Sequence, residues 1–164
     1  MRQQEGVRLV KASEVDTEAL CKNQQAAFDS ESQLYQRTSH GGPDGYDTLE
    51  GLKELMERTD LLKIVHDETT VGGVAVIDSA GRCRMVRIFI DPVHQGKGIG
   101  HEVFALLLER YPDAVKWELD TPSWSLRNHG FYESLGFCKI GETDNGDRGF
   151  SLFLYERKKA NIQS

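Results

Sequence analysis

Gln95-Gly96-Lys97-Gly98-Ile99-Gly100 lies between a β-rich apolar run and an amphipathic stretch. The run Met85-Val86-Arg87-Ile88-Phe89-Ile90 precedes it, followed by Asp91-Pro92. After it, Ile99, Val103, Leu106 and Leu107 recur at i, i+4, i+7 and i+8, the stripe of a helix packed on a core. Strand, glycine loop, helix is a layout that binds phosphate. Glycines carry no Cβ, so an anion can approach the backbone, and the first helical N–H groups point at it. The aligned peptide dipoles add about half a positive charge there.

Three kinds of loop share this layout. A nucleotide P-loop needs Gly-Lys followed by Ser or Thr, and here Gly98 follows Lys97. A dinucleotide fingerprint needs Gly-x-Gly-x-x-Gly directly after a strand, with an acid roughly 20 positions on. Glu118 or Asp120 meets the second condition, but His101 takes the third glycine's place and five residues including Pro92 intervene before Gly96. The third kind is a coenzyme A pyrophosphate loop, Gln/Arg-x-x-Gly-x-Gly/Ala. Gln95, Gly98 and Gly100 fit it, although a turn that merely starts a helix would look the same.

Bulk properties narrow the classes. The chain has 164 residues, enough for one domain with a real core, and its 38% apolar and 28% charged content is that of a globular protein. No stretch approaches a membrane span, and the N-terminus lacks an apolar signal region, so a cytoplasmic protein without membrane contact is expected. A net charge of −6 argues against nucleic-acid binding. It also means that an anion must be held by backbone amides and a few placed cations. Cys21, Cys83 and Cys138 are odd in number and far apart, which predicts free thiols and no metal site.

Patterning predicts strands at Val7–Val10, Leu61–His66, Val71–Ile77, Cys83–Ile90, Val115–Leu119, Phe137–Ile140 and Phe150–Tyr155. Helices are expected through Leu20–Phe28, from a Thr48 cap through Met56, over 98–110, and from Ser125 to Leu135, with Gly136 ending the last. Ser13 to Asp16 has capping-box spacing. Residues 29–47 lose all periodicity and read as a long loop, functional or mobile. The expected fold is α/β (α+β): a mixed sheet of about six or seven strands with helices on both faces. One domain over 1–156 and a polar tail over 157–164 are expected.

A second segment decides between the loops. Asn128-His129-Gly130-Phe131-Tyr132-Glu133-Ser134-Leu135-Gly136-Phe137, together with Ile88–Pro92 and Gln95–Gly100, resembles the GNAT superfamily of N-acyltransferases over residues 70–141. The resemblance implies two parallel central strands, 83–90 and 115–119, that splay apart around coenzyme A. It implies that the backbone of Ile88, Phe89 and Ile90 meets the pantetheine arm. Amides from Gly96, Lys97, Gly98, Ile99, Gly100 and His101 would hold the pyrophosphate, with Gln95 opening the motif and Lys97 adding charge. It implies that Tyr132 gives a proton to the departing thiolate. Many members carry asparagine seven residues before this tyrosine. Here Ser125 stands there and Asn128 four before, so either can meet the coenzyme. A structural tyrosine at the core edge is the alternative for Tyr132.

The acceptor is expected to be an amine of a small molecule or peptide, which must lose a proton before attack. Lys116, Glu118 and Asp120 share one strand face, and Glu118, ahead of Asp120, is the expected base; a solvated Lys116–Glu118 pair fits the same pattern. His40, His66, His94 and His129 have no spacing that singles one out. Asp29, Glu31, Asp44, Asp47 and Glu50 form an acidic segment suited to attracting a cationic amine, or a solubilising loop. The function so read is acetyl transfer from acetyl-CoA to an amine, and the resemblance is compatible with a homodimer. Its rivals are a non-catalytic acyl-CoA-binding module and a nucleotide-dependent oxidoreductase.

Overall fold

The computed structural model of the chain describes residues 6–35, 42–144 and 149–159. Its strands are β1 (Val7–Lys11), β2 (Asp60–His66), β3 (Thr69–Ser79), β4 (Arg82–Ile90), β5 (Lys116–Pro122), β6 (Cys138–Asp144) and β7 (Ser151–Lys158). Its helices are α1 (Thr17–Leu34), α2 (Leu49–Arg58), α3 (Ile99–Arg110) and α4 (Leu126–Ser134). The seven strands form one mixed sheet in the order β1-β2-β3-β4-β5-β7-β6. Every neighbouring pair is antiparallel except β4 and β5. That topology does not match a doubly wound dinucleotide sheet, whose strands run mostly parallel.

Each face of the sheet buries its own core. On one face Leu20, Leu52, Leu55, Leu61 and Phe89 pack beneath α1 and α2. On the other, Val103, Leu107, Trp117, Tyr132 and Tyr155 pack beneath α3 and α4. Local signals start and stop the helices as the sequence predicts. Thr48 Oγ1 accepts Gly51 N–H at 3.0 Å. Asp16 Oδ2 accepts Ser13 N–H at 2.9 Å. After α4, Gly136 N–H donates to Glu133 O (3.0 Å) and Phe137 N–H to Tyr132 O (3.1 Å), the paired bonds of a Schellman ending.

Three expectations are corrected. Residues 29–34 are not loop: they complete the helix α1, whose buried side includes Asn23, Gln24, Glu31 and Ser32. Polar residues occupy the buried face, so the apolar stripe fades although the helix continues. The acidic segment is therefore not one flap. Asp29 and Glu31 belong to α1 and Glu50 to α2, while Arg37 and His40 lie outside the described residues. At the other end, β7 runs through Lys158, past the expected start of the tail. Arg157 Nε donates to Leu135 O at 2.9 Å, and its guanidinium carbon sits 5.3 Å from the centre of the Phe104 ring.

The strands β4 and β5 pair only at Arg82↔Lys116, Cys83↔Trp117 and Arg84↔Glu118. Immediately beyond, β4 carries a bulge: Ala75 faces Arg87 and Val76 faces Met85, leaving Val86 unmatched. A bulge bends its strand and sharpens its twist. From there to Ile90, β4 has no partner on the β5 side, so the two parallel strands splay as expected.

All three cysteines are free, with Cys21 and Cys83 buried and Cys138 exposed. Burial and the nearby Asp78 push the Cys83 thiol up to about 12, and burial also raises Cys21. Thiolates, not thiols, are alkylated. Iodoacetamide at pH 8 is therefore expected to label Cys138 in the native protein, and Cys21 and Cys83 only after denaturation. Peptide mass spectrometry checks this, and rapid native labelling of Cys83 would contradict the packing described.

Candidate active site

The splay opens a cleft of about 500 Å³. Its floor is Ile88, Phe89 and Ile90, and one end is Gln95, Gly96, Gly98, Ile99, Gly100 and His101. From α4 come Arg127, Asn128, Phe131 and Tyr132, and from α1 come Ala27, Phe28 and Glu31. Thus residues from three separate stretches of sequence converge.

The floor shows how β4 can serve a ligand. Asp91 N–H donates to Val71 O at 2.8 Å, and Phe89 sits opposite Gly73. Alternate residues of an antiparallel ladder turn their backbone groups to opposite edges. Phe89 therefore spends its peptide groups on β3, while Ile88 and Ile90 turn theirs into the cleft. This corrects the expectation for Phe89. Its ring is buried in the core beneath α1.

At the glycine loop, Gly96 and Gly98 have φ of +78° and +79°, and nothing lies within 4 Å of where their Cβ atoms would stand. The turn thus needs glycine for its conformation and leaves open space outside it. Gly98 caps α3 without any side-chain hydrogen bond, so the first-turn N–H groups have no side-chain acceptor. Gly100 serves packing instead: a Cβ there would come within 2.8 Å of the Phe131 ring, which seats α4 against α3. Lys97 is exposed and does not line the cleft. Gln95 folds inward, donating from Nε2 to Ile90 O at 2.8 Å. His101 Nε2 is 2.8 Å from Ser134 Oγ.

Tyr132 is 7% exposed, and its hydroxyl has no hydrogen-bond partner among the described residues. Burial first, then the charges of Asp120 and Glu31, hold its phenol well above the usual tyrosine range. It stays protonated at every pH at which the protein would work. Asn128 lines the cleft, whereas Ser125 is buried and donates to Glu31 Oε2 at 2.7 Å. Of the two possible coenzyme contacts, Asn128 is therefore the one facing the cleft.

Glu118 is not brought to the cleft. It occupies the last paired register, opposite Arg84, and its Oε2 accepts from Arg82 at 3.1 Å and pairs with Lys116 at 3.2 Å. The hydrogen bond from Arg82, reinforced by Lys116, holds its carboxyl below the usual glutamate range. Asp120 lies two residues further along β5, beyond the last pair, and bonds Arg84. The expected alternation was right, but the splay begins between the two acids.

The sequence of residues 44–158 matches the family model described as an acetyltransferase (GNAT) domain. The chain belongs to the GNAT family. It is 35% identical over 71 residues to the uncharacterized protein YrkN of Bacillus subtilis, a match covering 42% of this chain and 38% of that protein's length. Three solved N-acetyltransferase structures share its fold at low identity. A PaiA N-acetyltransferase from Thermoplasma acidophilum, in complex with coenzyme A, superposes with a TM-score of 0.73 at 18% identity, over 94% of this chain and 99% of that one. The ribosomal-protein-S18-alanine N-acetyltransferase of Escherichia coli gives 0.73 at 15%, over 96% and 98%. A spermidine N-acetyltransferase chimera of Vibrio cholerae gives 0.70 at 16%, over 93% and 95%.

Glu31, expected in an acidic loop suited to a cationic amine, lines the cleft from α1 instead. His94 lines it too, although no spacing singles it out. His129 is buried outside the cleft, with Nε2 2.9 Å from Pro122 O and its ring stacked on Phe153. The only signal that the sequence carries for Arg127 is its place beside Asn128 at the start of α4.

Arg127 N–H donates to Tyr35 Oη at 2.8 Å, tying the first turn of α4 to the end of α1. A net hydrogen bond of ~1 kcal/mol corresponds to about a fivefold change in local opening. Tyr35→Phe is expected to speed hydrogen exchange at the Arg127 amide by about that factor. Unchanged protection would show that the hydroxyl does not hold this turn.

Proposed function

We propose that this GNAT protein transfers an acetyl group from acetyl-CoA to a primary amine of a small molecule or peptide. The observation that carries the reading is the unpaired β4 edge at Ile88 and Ile90, running from an uncapped glycine turn to a protonated, unpartnered tyrosine. The residues present fit coenzyme A. Gly96 and Gly98 leave room for a diphosphate against the N-terminal amides of α3, and the peptide-like pantetheine arm finds the backbone groups of Ile88 and the N–H of Ile90, whose carbonyl already accepts from Gln95. Acetyl-CoA, the co-substrate, supplies the acyl group as a thioester.

The remaining work belongs to this chain. The cleft holds thioester and amine together, so that attack is direct. Tyr132 keeps a proton on Oη for the departing thiolate, and burial keeps that proton in place through the neutral range. For the amine's proton, Glu118 and Asp120 stand as the two candidate carboxylates: neither lines the cleft and each is paired with an arginine, while Asp120 lies beyond the last paired residue of β5 and acts on Tyr132 electrostatically.

Thiol release from acetyl-CoA across a panel of primary amines tests the function. Turnover on at least one amine is expected; tight coenzyme binding with no turnover on any would make the protein a binding module. Tyr132→Phe is expected to lower kcat by about a hundredfold or more, with little change in coenzyme Kd. Since the phenol's proton is held past the ordinary tyrosine range, no activity loss attributable to Tyr132 is expected below pH 10. Full activity in the variant at every pH would remove Tyr132 from the chemistry.

A further inference from the structure

Among the described residues the cleft wall contains one guanidinium and one carboxylate, and they are bound to each other. Glu31 Oε1 accepts from Arg127 Nη2 at 2.8 Å, and the carboxylate is 10% exposed while the guanidinium is 50% exposed. The two residues are 96 apart in sequence, so the pair bridges α1 to α4 across the cleft. The same Nη2 lies 3.4 Å from Gln95 Oε1, the residue that opens the glycine loop. Arg127 thus stands between a buried acid and the place where a diphosphate would sit. Among the described residues no other arginine or lysine lines the cleft.

We propose that Arg127 is a shared counter-ion: it neutralises Glu31 until a coenzyme diphosphate draws it to the glycine loop, and Glu31 then anchors the ammonium of the acceptor amine. This rests on the reading of the cleft as an acetyl-CoA site. The electrostatic reasoning is direct. A guanidinium binds phosphate oxygens through the same fork of donors that it offers a carboxylate. The Arg127 backbone is fixed by its bond to Tyr35, but the half-exposed side chain can change partners without moving α4. A carboxylate as buried as Glu31 cannot be left with only the neutral Ser125 hydroxyl, because an unpaired buried charge is costly. Once Arg127 leaves, the site calls for a cation, and the protonated acceptor supplies one. Glu31 also acts electrostatically on Tyr132, so an ammonium placed there lies near the proposed acid. Donor binding thereby prepares the acceptor site, which makes coenzyme first and amine second the favoured order.

Calorimetric titration of coenzyme A into four proteins tests this. Arg127→Gln is expected to weaken binding by about tenfold or more, the worth of a charge-assisted contact. Glu31→Gln is expected to tighten binding by about three- to tenfold, because Arg127 no longer has a competing partner. In the double variant the Glu31 substitution is expected to add nothing to the loss from Arg127. A merely structural ion pair would give the opposite sign for Glu31→Gln, so unchanged or weaker binding there overturns the proposal. A second measurement needs no variant. Linkage is reciprocal, so methylammonium chloride is expected to tighten coenzyme A binding to the unaltered protein relative to potassium chloride at equal ionic strength. No such difference would overturn the role of Glu31 as an ammonium anchor. If the unaltered protein did not bind coenzyme A at all, the acetyl-CoA reading itself would fail. Binding that ignores both substitutions would overturn this inference alone.

Discussion

The bulge at Val86 is the constraint on which the rest depends. It falls two residues after the last pairing of β4 with β5, opposite Glu118. Up to that point the strands are held by backbone bonds and by the pairs Arg82–Glu118 and Arg84–Asp120. After it, the bend carries β4 away. Without the bend, the peptide groups of Ile88 and Ile90 would be consumed by β5, as those of Phe89 are by β3. The unsatisfied edge that a soluble sheet normally hides is here kept inside the molecule, walled by α1 and α4.

The bulge also sorts side chains. It sets both Val86 and Arg87 toward α1, where Val86 packs against the core cluster that includes Leu52 and Phe89 and Arg87 Nη1 donates to Gln24 Oε1 at 3.0 Å. Gln24 is fully buried and passes the chain of bonds on, its Nε2 donating to Tyr46 O at 2.9 Å. Burial, with the nearby charge of Arg58, holds the Arg87 guanidinium down to about 10. Hydrogen bonds among α1, β4 and the turn before α2 thus replace the apolar contacts that a periodic helix would make. Such a network fixes geometry more tightly than grease does, because each partner has few satisfactory positions.

That substitution explains which parts of the fold could be read from the sequence. The glycine loop, α3, and the Gly136-Phe137 ending were legible because local rules decide them: positive φ, an apolar stripe and a Schellman turn. The far half of α1 was not, because Gln24 and Glu31 are buried by partners 22 and 94 residues away, namely Tyr46 and Ser125. The surroundings of Glu118 and Asp120 were hidden for a similar reason. Alternation places both on one face, but where β4 leaves β5 is set by a bulge on the other strand. In the site, the glycine loop announces itself through positive φ at Gly96 and Gly98. The charged pair of Glu31 and Arg127 becomes visible only when the fold brings residues 96 apart together.

The short pairing of β4 with β5 has a consequence for how the molecule comes to have a site at all. Strands β1 to β4 form one plate, drawn from residues 7–90, and β5 to β7 form another, drawn from residues 116–158. Each plate is contiguous in the chain, and the chain passes between them once, through α3. Neither plate alone contains the cleft, because its walls come from α1 and β4 of the first and α4 of the second. The two plates share one core on the α3 and α4 face and are joined at the sheet by only three residue pairs. The width of the gap therefore follows from where β4 bends away from β5.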